Sequence, residues 1–307
     1  MNLQYRAARF AMRVLQRLSP ALAAFVAERL FFTPPRTGLA PAAREILRTG
    51  RPFRLSVEGA RIGAWSWGHG PAVVLVHGWG GRGARLAATY VPPLVARGFS
   101  VIAFDAPGHG ISDGRLSSMP QFARALQGVA DVAGSVFAIV AHSMGGSATA
   151  LAMSQRLRVE RAVFLAPAAD PAWFAAGFAK ALAIAPSVMD AMRARSERRL
   201  GCRWTDLDVR QLVHSFDVPL LVIHDQDDPT VPWTDGAAIA KAWPHAELVT
   251  TNGLGHRDVV REPSVVARAV AFIGEGAPTS AAGNEGAWLE RDLFRRDIRQ
   301  HRVFQGA

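Results

Sequence analysis

Ser143 stands in Ala141-His142-Ser143-Met144-Gly145-Gly146, between an apolar run, Val136 to Val140, and a helix-length segment, Gly145 to Arg156. A serine hydroxyl becomes a nucleophile when a base removes its proton, and histidine, with an ordinary pKa of about 6.5, suits that task at neutral pH. His256 follows the last apolar run, Glu247 to Thr250, in Asn252-Gly253-Leu254-Gly255-His256, and so leaves the same sheet edge as Ser143. His245 precedes that run and belongs at the opposite end, His301 is in the tail, and His69, His109, His142, His214 and His224 read as turn or core residues. A carboxylate must then hold the imidazole in the productive tautomer. The run Leu220 to Ile223 ends in His224-Asp225-Gln226-Asp227-Asp228, with three acids together. Mutual repulsion disfavours three buried anions, so one bonds His256 and the others meet water or turn amides. Asp170, at the end of an earlier run, is a weaker substitute.

Taken alone, the Ser143 stretch favours a serine N-cap over a nucleophile. A nucleophile elbow requires strand, sharp turn and helix, with small residues two before and two after the nucleophile. Ala141 and Gly145 are those residues, and Gly146 lets the helix approach the sheet. The run Val73 to Val76 ends in His77-Gly78-Trp79-Gly80-Gly81, a turn able to aim a backbone N–H at an oxyanion shared with the residue after Ser143. The expected donors are the Trp79 and Met144 amides, supported by Gly78, Gly80 and Gly145, with His77 bonding the turn rather than reacting.

The elements that must position these groups follow from hydrophobic period. Short apolar runs occur at Ala72 to Val76, Val101 to Phe104, Val136 to Val140, Ala162 to Leu165, Leu220 to Ile223 and Glu247 to Thr250. Helix-length segments lie between most of them, among them Ala84 to Arg97, Met119 to Ala133 and Gly236 to Trp243. Continuously apolar strands alternating with helices predict an α/β protein with a doubly wound, mostly parallel sheet, whose ligands sit at the carboxyl ends of the strands. Phe53 to Val57 and Ile62 to Trp67, joined by Glu58-Gly59-Ala60-Arg61, predict an antiparallel hairpin ahead of it. The connection at about 167–216 is too long for a plain crossover. It carries Trp173, Phe174, Phe178, Leu182, Ile184, Met189, Met192 and Trp204, enough for a small helical cap whose apolar groups either line a substrate pocket or form the cap's own core. The expected organisation is a basic amphipathic helical segment at 1–36, the α/β domain at 37–274, a linker at 275–287 and an arginine-rich tail at 288–307.

The motifs His77-Gly78-Trp79-Gly80, Asp105-Ala106-Pro107-Gly108-His109-Gly110-Ile111-Ser112, Ala141 to Gly146, Asp228-Pro229-Thr230-Val231-Pro232 and Gly253 to His256, in this order, resemble the α/β-hydrolase superfamily over about residues 53–274. Each is modest alone, while five in order are specific. The resemblance implies a serine hydrolase of the esterase, lipase or thioesterase kind, with Ser143, Asp228 and His256 as the triad. It selects Asp228 because the family's acid stands just before x-x-Val-Pro, and it places a variable cap at 167–216. Two residues depart from the family pattern: Ala141 replaces the first elbow glycine, and Asp225 stands where the acid-strand loop usually has glycine. An acyltransferase, a C–C bond hydrolase or a peptidase would use the same three residues, and a non-catalytic ligand-binding protein of this fold is the reading from another class. Ser143 disfavours dehalogenase and epoxide hydrolase chemistry, which uses an aspartate nucleophile.

Composition narrows the partners. The 307 residues are half hydrophobic, enough for a sizeable core, and the single cysteine, Cys202, precludes an internal disulfide or a multi-cysteine metal site. No cofactor or metal is expected, and cysteine usage fits a reducing cytoplasm. The net charge is +10, yet residues 1–54 hold ten arginines and two glutamates and so account for +8 of it. The rest of the chain is therefore no polyanion-binding surface, and nucleic acid is not an expected partner. Near the start, Arg6, Arg9, Arg13 and Arg17 alternate with Phe10, Val14, Leu15 and Leu18, which predicts a helix basic on one side and apolar on another. The favoured expectation is that its apolar stripe packs on the body. The alternative is that residues 1–30 lie peripherally on an anionic membrane, such as the inner face of the cell membrane. Arg13 and Arg17 interrupt the place where a secretory h-region would run. The expected substrate is a small-molecule ester or thioester.

Overall fold

The computed structural model describes residues 3–275 and Ala277. The expected tail and, apart from Glu275 and Ala277, the expected linker lie outside the described residues. The chain opens with a helical pair, α1 (Leu3–Leu18) and α2 (Pro20–Phe31), broken at Ser19, whose hydroxyl caps α2 at the Leu22 amide. Helix α3 (Pro41–Thr49) precedes the hairpin β1 (Arg51–Val57) and β2 (Ala60–Trp67). The alternation follows: β3 (Ala72–Val76), α4 (Gly83–Val95), β4 (Ser100–Phe104), α5 (Met119–Ala133), β5 (Val136–His142), α6 (Met144–Gln155) and β6 (Val159–Leu165). After it come α7 (Pro171–Leu182), α8 (Pro186–Leu200), a 3-10 turn at Trp204–Leu207 and α9 (Val209–Leu212). The chain then returns through β7 (Leu220–Asp225), α10 (Trp233–Ala242), β8 (Ala246–Thr251), α11 (Gly255–Asp258) and α12 (Pro263–Gly274).

The eight strands form one sheet in the order β1-β2-β4-β3-β5-β6-β7-β8. β1 and β2 pair antiparallel, β2 pairs antiparallel with β4, and every later pairing is parallel. From β3 the chain winds outward to β4, then returns across β3 to β5 and on to β8. The winding therefore reverses beside β3 and β5, and the loops leaving those neighbours diverge to open a crevice at their carboxyl ends.

The sheet is apolar throughout because both faces are covered. Along β5 and β6, Ile139, Ala141, Ala162 and Phe164 pack with Phe122 and Leu126 of α5 and Leu151 of α6. Their alternates Val140, Val163 and Leu165 pack on the other face with Leu86, Tyr90 and Leu94 of α4 and Ile273 of α12. Successive strand side chains point to opposite faces, so an uninterrupted apolar run is what a two-sided core demands.

A third cluster lies outside the sheet. Met12, Ala23, Ala24, Ala27 and Phe32 of the N-terminal segment pack with Ala175, Ile184, Val188, Met192 and Trp204 of the 167–216 connection. Phe178, Leu182 and Met189 join it. Gln16 clamps the turn between α7 and α8, donating to the Ala183 carbonyl at 3.0 Å and accepting from the Ala185 amide at 2.9 Å. The buried Glu28 carboxylate binds Arg195 at 3.1 Å and Arg199 at 2.7 Å, tying α2 to α8. Most of the connection's apolar residues thus form a core with α1 and α2, a partner that helix periodicity could not name.

The same packing overturns the favoured expectation for α1. Met12 is buried and Leu15 half-buried, whereas Phe10, Val14 and Leu18 remain exposed. The side of α1 that carries Met12 and Gln16 fits α2 and the α7–α8 turn, and this turns the larger apolar row outward.

Candidate active site

Ser143 sits between β5 and α6 with φ 55° and ψ −127°, a conformation that costs a non-glycine residue roughly 1–3 kcal/mol. Its surroundings hold it there: its amide donates to the Leu165 carbonyl of β6 at 2.9 Å, and its carbonyl accepts from Gly146 at 2.9 Å. The turn fits only because its neighbours are small. A Cβ on Gly145 would lie 2.5 Å from the Val76 carbonyl oxygen, and one on Gly78 would lie 2.8 Å from Ser143 Cβ. Ala141 is fully buried in the sheet between β3 and β6, where its single methyl group is accommodated.

His256, in α11, reaches this turn from beyond β8. Its Nε2 lies 3.1 Å from Ser143 Oγ and its Nδ1 lies 2.7 Å from Asp228 Oδ2. A carboxylate can only accept, so Nδ1 carries the proton and the Nε2 lone pair faces the serine hydroxyl. Asp228 Oδ1 accepts from the Thr230 and Val231 amides at 2.7 and 2.9 Å, and His224 Nε2 lies 3.4 Å from Oδ2. Burial raises the Asp228 pKa, but hydrogen bonds from His224, His256, Val231 and Thr230 outweigh it and hold the carboxyl well below the usual carboxylate range.

The other two acids face amides. Fully buried Asp225 accepts from the Asp227 amide at 3.0 Å, the Gly255 amide at 2.9 Å, the Leu254 amide at 3.1 Å and the Thr251 hydroxyl at 2.7 Å. Burial opposes its ionisation, and these four bonds more than compensate, lowering its pKa. Asp227 accepts from the Gly253 amide at 2.9 Å. Both therefore pin the loop that carries His256. The expected glycine position before the acid thus holds the anchor for the histidine loop, a role that needs a carboxylate. Asp170 caps α7 by accepting from Ala172 at 2.7 Å.

Opposite the elbow, the turn after β3 is held by two neutral histidines. His77 donates from Nδ1 to the Gly78 carbonyl at 2.7 Å and accepts at Nε2 from the Ala106 amide at 3.0 Å. His109 donates to the Pro107 carbonyl at 3.0 Å and accepts from the Gly80 amide at 3.0 Å. Burial lowers the His77 pKa to about 3 and also lowers that of His109. The Gly81 amide is tied to the Gly78 carbonyl at 3.0 Å. Among the described residues, neither the Trp79 nor the Met144 amide meets a protein acceptor. Asp105 braces the same region, accepting from Gly83 at 2.9 Å and Ile111 at 3.1 Å, while Ser112 donates to its carbonyl.

Two histidines matter here that sequence reasoning set aside as turn or core. His142 donates from Nε2 to the His256 carbonyl at 2.9 Å, with the two rings 4.7 Å apart. Burial, then repulsion from His256, lowers its pKa to about 3, so it stays neutral beside the His256 ring. His224 donates to the Val231 carbonyl at 3.1 Å and backs Asp228. Adjacency to Ser143 and to the acid loop was the only sequence signal for either. Among the described residues, no group of three or more His, Cys, Asp and Glu side chains could hold a metal ion.

Comparison with known proteins shows the family and the fold. Residues 73–269 match the profile of the Alpha/beta hydrolase family. A pimeloyl-[acyl-carrier protein] methyl ester esterase of Xanthomonas campestris is 30% identical over 244 residues, covering 66% of this chain and 94% of that protein. Two solved structures share the fold. Rv0554 from Mycobacterium tuberculosis has a TM-score of 0.59 at 18% identity, over 74% of this chain and 100% of that one. An esterase from Exiguobacterium antarcticum has a TM-score of 0.57 at 16% identity, over 73% and 99%.

Proposed function

Because the chain belongs to the alpha/beta hydrolase family, we propose that it is a serine hydrolase cleaving a carboxylic ester or thioester through an acyl-enzyme on Ser143. The observation that carries this reading is the unbroken hydrogen-bond chain from Ser143 Oγ through His256 to Asp228.

His256 Nε2 takes the Ser143 proton as Oγ attacks the substrate carbonyl carbon. The imidazolium that forms is stabilised by Asp228, and neutral His142 adds no repelling charge beside it. The carbonyl oxygen becomes an oxyanion, which accepts hydrogen bonds from the Trp79 and Met144 amides. Collapse of the tetrahedral species breaks the bond to the alcohol or thiol, which leaves with the proton from His256. Water, deprotonated by the same nitrogen, then attacks the acyl-serine and releases the acid. General-base action of this kind contributes about 10²–10⁴ in rate, and one oxyanion donor about 2.7–4 kcal/mol. The backbone strain at Ser143 serves this chemistry by exposing Oγ at the end of the strand.

An ester substrate is also supported by the Xanthomonas relative, a methyl ester esterase by name. Fluorophosphonate labelling of the wild type and of Ser143→Ala, followed by p-nitrophenyl esters of rising chain length, tests the reading. Wild type alone should be labelled and active; equal labelling and turnover in both proteins would dismiss Ser143 as the nucleophile.

A further inference from the structure

The outward face of α1 has no function in the acyl chemistry, and no element among the described residues covers it. Phe10, Val14 and Leu18, one helical turn apart, are 69%, 39% and 79% exposed. At 3.6 residues per turn, Arg6, Arg13 and Arg17 form a second row within about 60° of Phe10 on the same exposed side. None of these three arginines has an ion-pair partner among the described residues. Leu22 and Phe25 of α2 add exposed apolar area at 49% and 44%.

We propose that this face, with its apolar row Phe10, Val14 and Leu18 beside the arginine row Arg6, Arg13 and Arg17, docks the protein on an anionic lipid surface. The apolar side chains enter the boundary between headgroups and acyl chains, and the guanidinium groups bind lipid phosphates in the adjoining layer. Charge decides the occupant. Residues 1–27 contain no aspartate or glutamate, and Glu28 is buried against Arg195 and Arg199. A second copy seated on this face would set arginine against arginine, whereas an anionic bilayer complements both rows at once. The inner side of α1 is fixed to the body through Met12 and Gln16, so docking needs no unfolding of the pair. The same segment continues to Thr37, whose hydroxyl donates to the Gly80 carbonyl at 3.1 Å, and this ties the docking face to the turn that bears Trp79.

The test is co-sedimentation of the full chain with vesicles of phosphatidylcholine alone and of phosphatidylcholine mixed with phosphatidylglycerol. Wild type should pellet with the mixed vesicles, release with rising salt, and stay in solution with phosphatidylcholine. Arg13→Gln combined with Arg17→Gln should weaken partitioning by about 25-fold, about fivefold for each charge. Leu18→Ser should weaken it by about tenfold. These side chains are exposed, so both variants should keep the wild-type circular dichroism spectrum and turn over a soluble p-nitrophenyl ester at the wild-type rate. Failure of wild type to bind mixed vesicles, or undiminished binding by either variant, would overturn the proposal. So would a dimer seen by light scattering that Leu18→Ser dissolves, which would assign the face to a second copy.

Discussion

Asp225→Asn separates the anchor of the His256 loop from the acid that bonds the imidazole. The substitution keeps shape but replaces one accepting oxygen with an NH₂ group. With Oδ1 turned toward Asp227 and Gly255, the new amide meets the Thr251 hydroxyl, which can turn to accept, and the Leu254 amide, which cannot. The opposite rotamer strands the Asp227 and Gly255 amides instead, so the first is preferred. One buried donor is then orphaned at a cost of about 1–3 kcal/mol, and the bonds that remain lose their charge assistance. The total destabilisation should be about 2–4 kcal/mol, read as a lower urea midpoint with unchanged m-value. Because Gly255 directly precedes His256, the loosened loop should also lower kcat by about 10–100-fold on a p-nitrophenyl ester, with little change in KM. Asp228→Asn removes the tautomer-holding acceptor itself and should cost about 10⁴ in kcat. Full stability in Asp225→Asn would refute the anchoring role. A 10⁴-fold loss in Asp225→Asn, with Asp228→Asn nearly active, would move the triad acid to Asp225.

Gly145→Ala should cripple the site without touching a reacting group, because its Cβ would press to 2.5 Å from the Val76 oxygen and push α6 off β3. A loss of about 1–3 kcal/mol and a large fall in kcat are expected, and wild-type kinetics in this variant would contradict the tight elbow. His77 and His142, both lowered to about 3 by burial, bind protons in the unfolded chain below pH about 6.5 but not in the folded one. Stability therefore rises with pH between about 3 and 6.5 and is lost on acidification, with these two histidines together taking up about two protons on unfolding and His109 adding to them; calorimetric Tm values across that window check the slope. Glu28→Gln leaves Arg195 and Arg199 facing a neutral amide, with water offsetting part of the loss, and should cost about 1–2 kcal/mol in urea unfolding. An unchanged midpoint would mean that the α2–α8 ion pairs contribute nothing net.

The sheet and the order of its motifs were legible in the sequence because their signals are local. A strand buried on both faces must be apolar at every position, as Ala72–Val76 and Leu220 to Ile223 are, and sharp turns announce themselves as glycine clusters at Gly78, Gly80 and Gly145. Strand ends on one side of a parallel sheet must lie together, so reading the runs already placed Ser143, the three acids and His256 at one edge. What sequence could not decide was which groups would face each other across long separations. Asp225, Asp227 and Asp228 are chemically alike; the family resemblance singled out Asp228, but only the path of the β8–α11 loop gives Asp225 and Asp227 their role of pinning the His256 loop through backbone amides. His142 and His224 look like core residues until the fold sets them against His256 and Asp228. Periodicity identified α1 as amphipathic but held no information on which side would find a partner. The fit of Met12 and Gln16 against α2 and the α7–α8 turn decided that, and it left Phe10, Val14 and Leu18 turned outward. Local composition determines which segments form strands and turns, whereas pairing among equivalent side chains is a property of their three-dimensional neighbours, which the tertiary structure alone supplies.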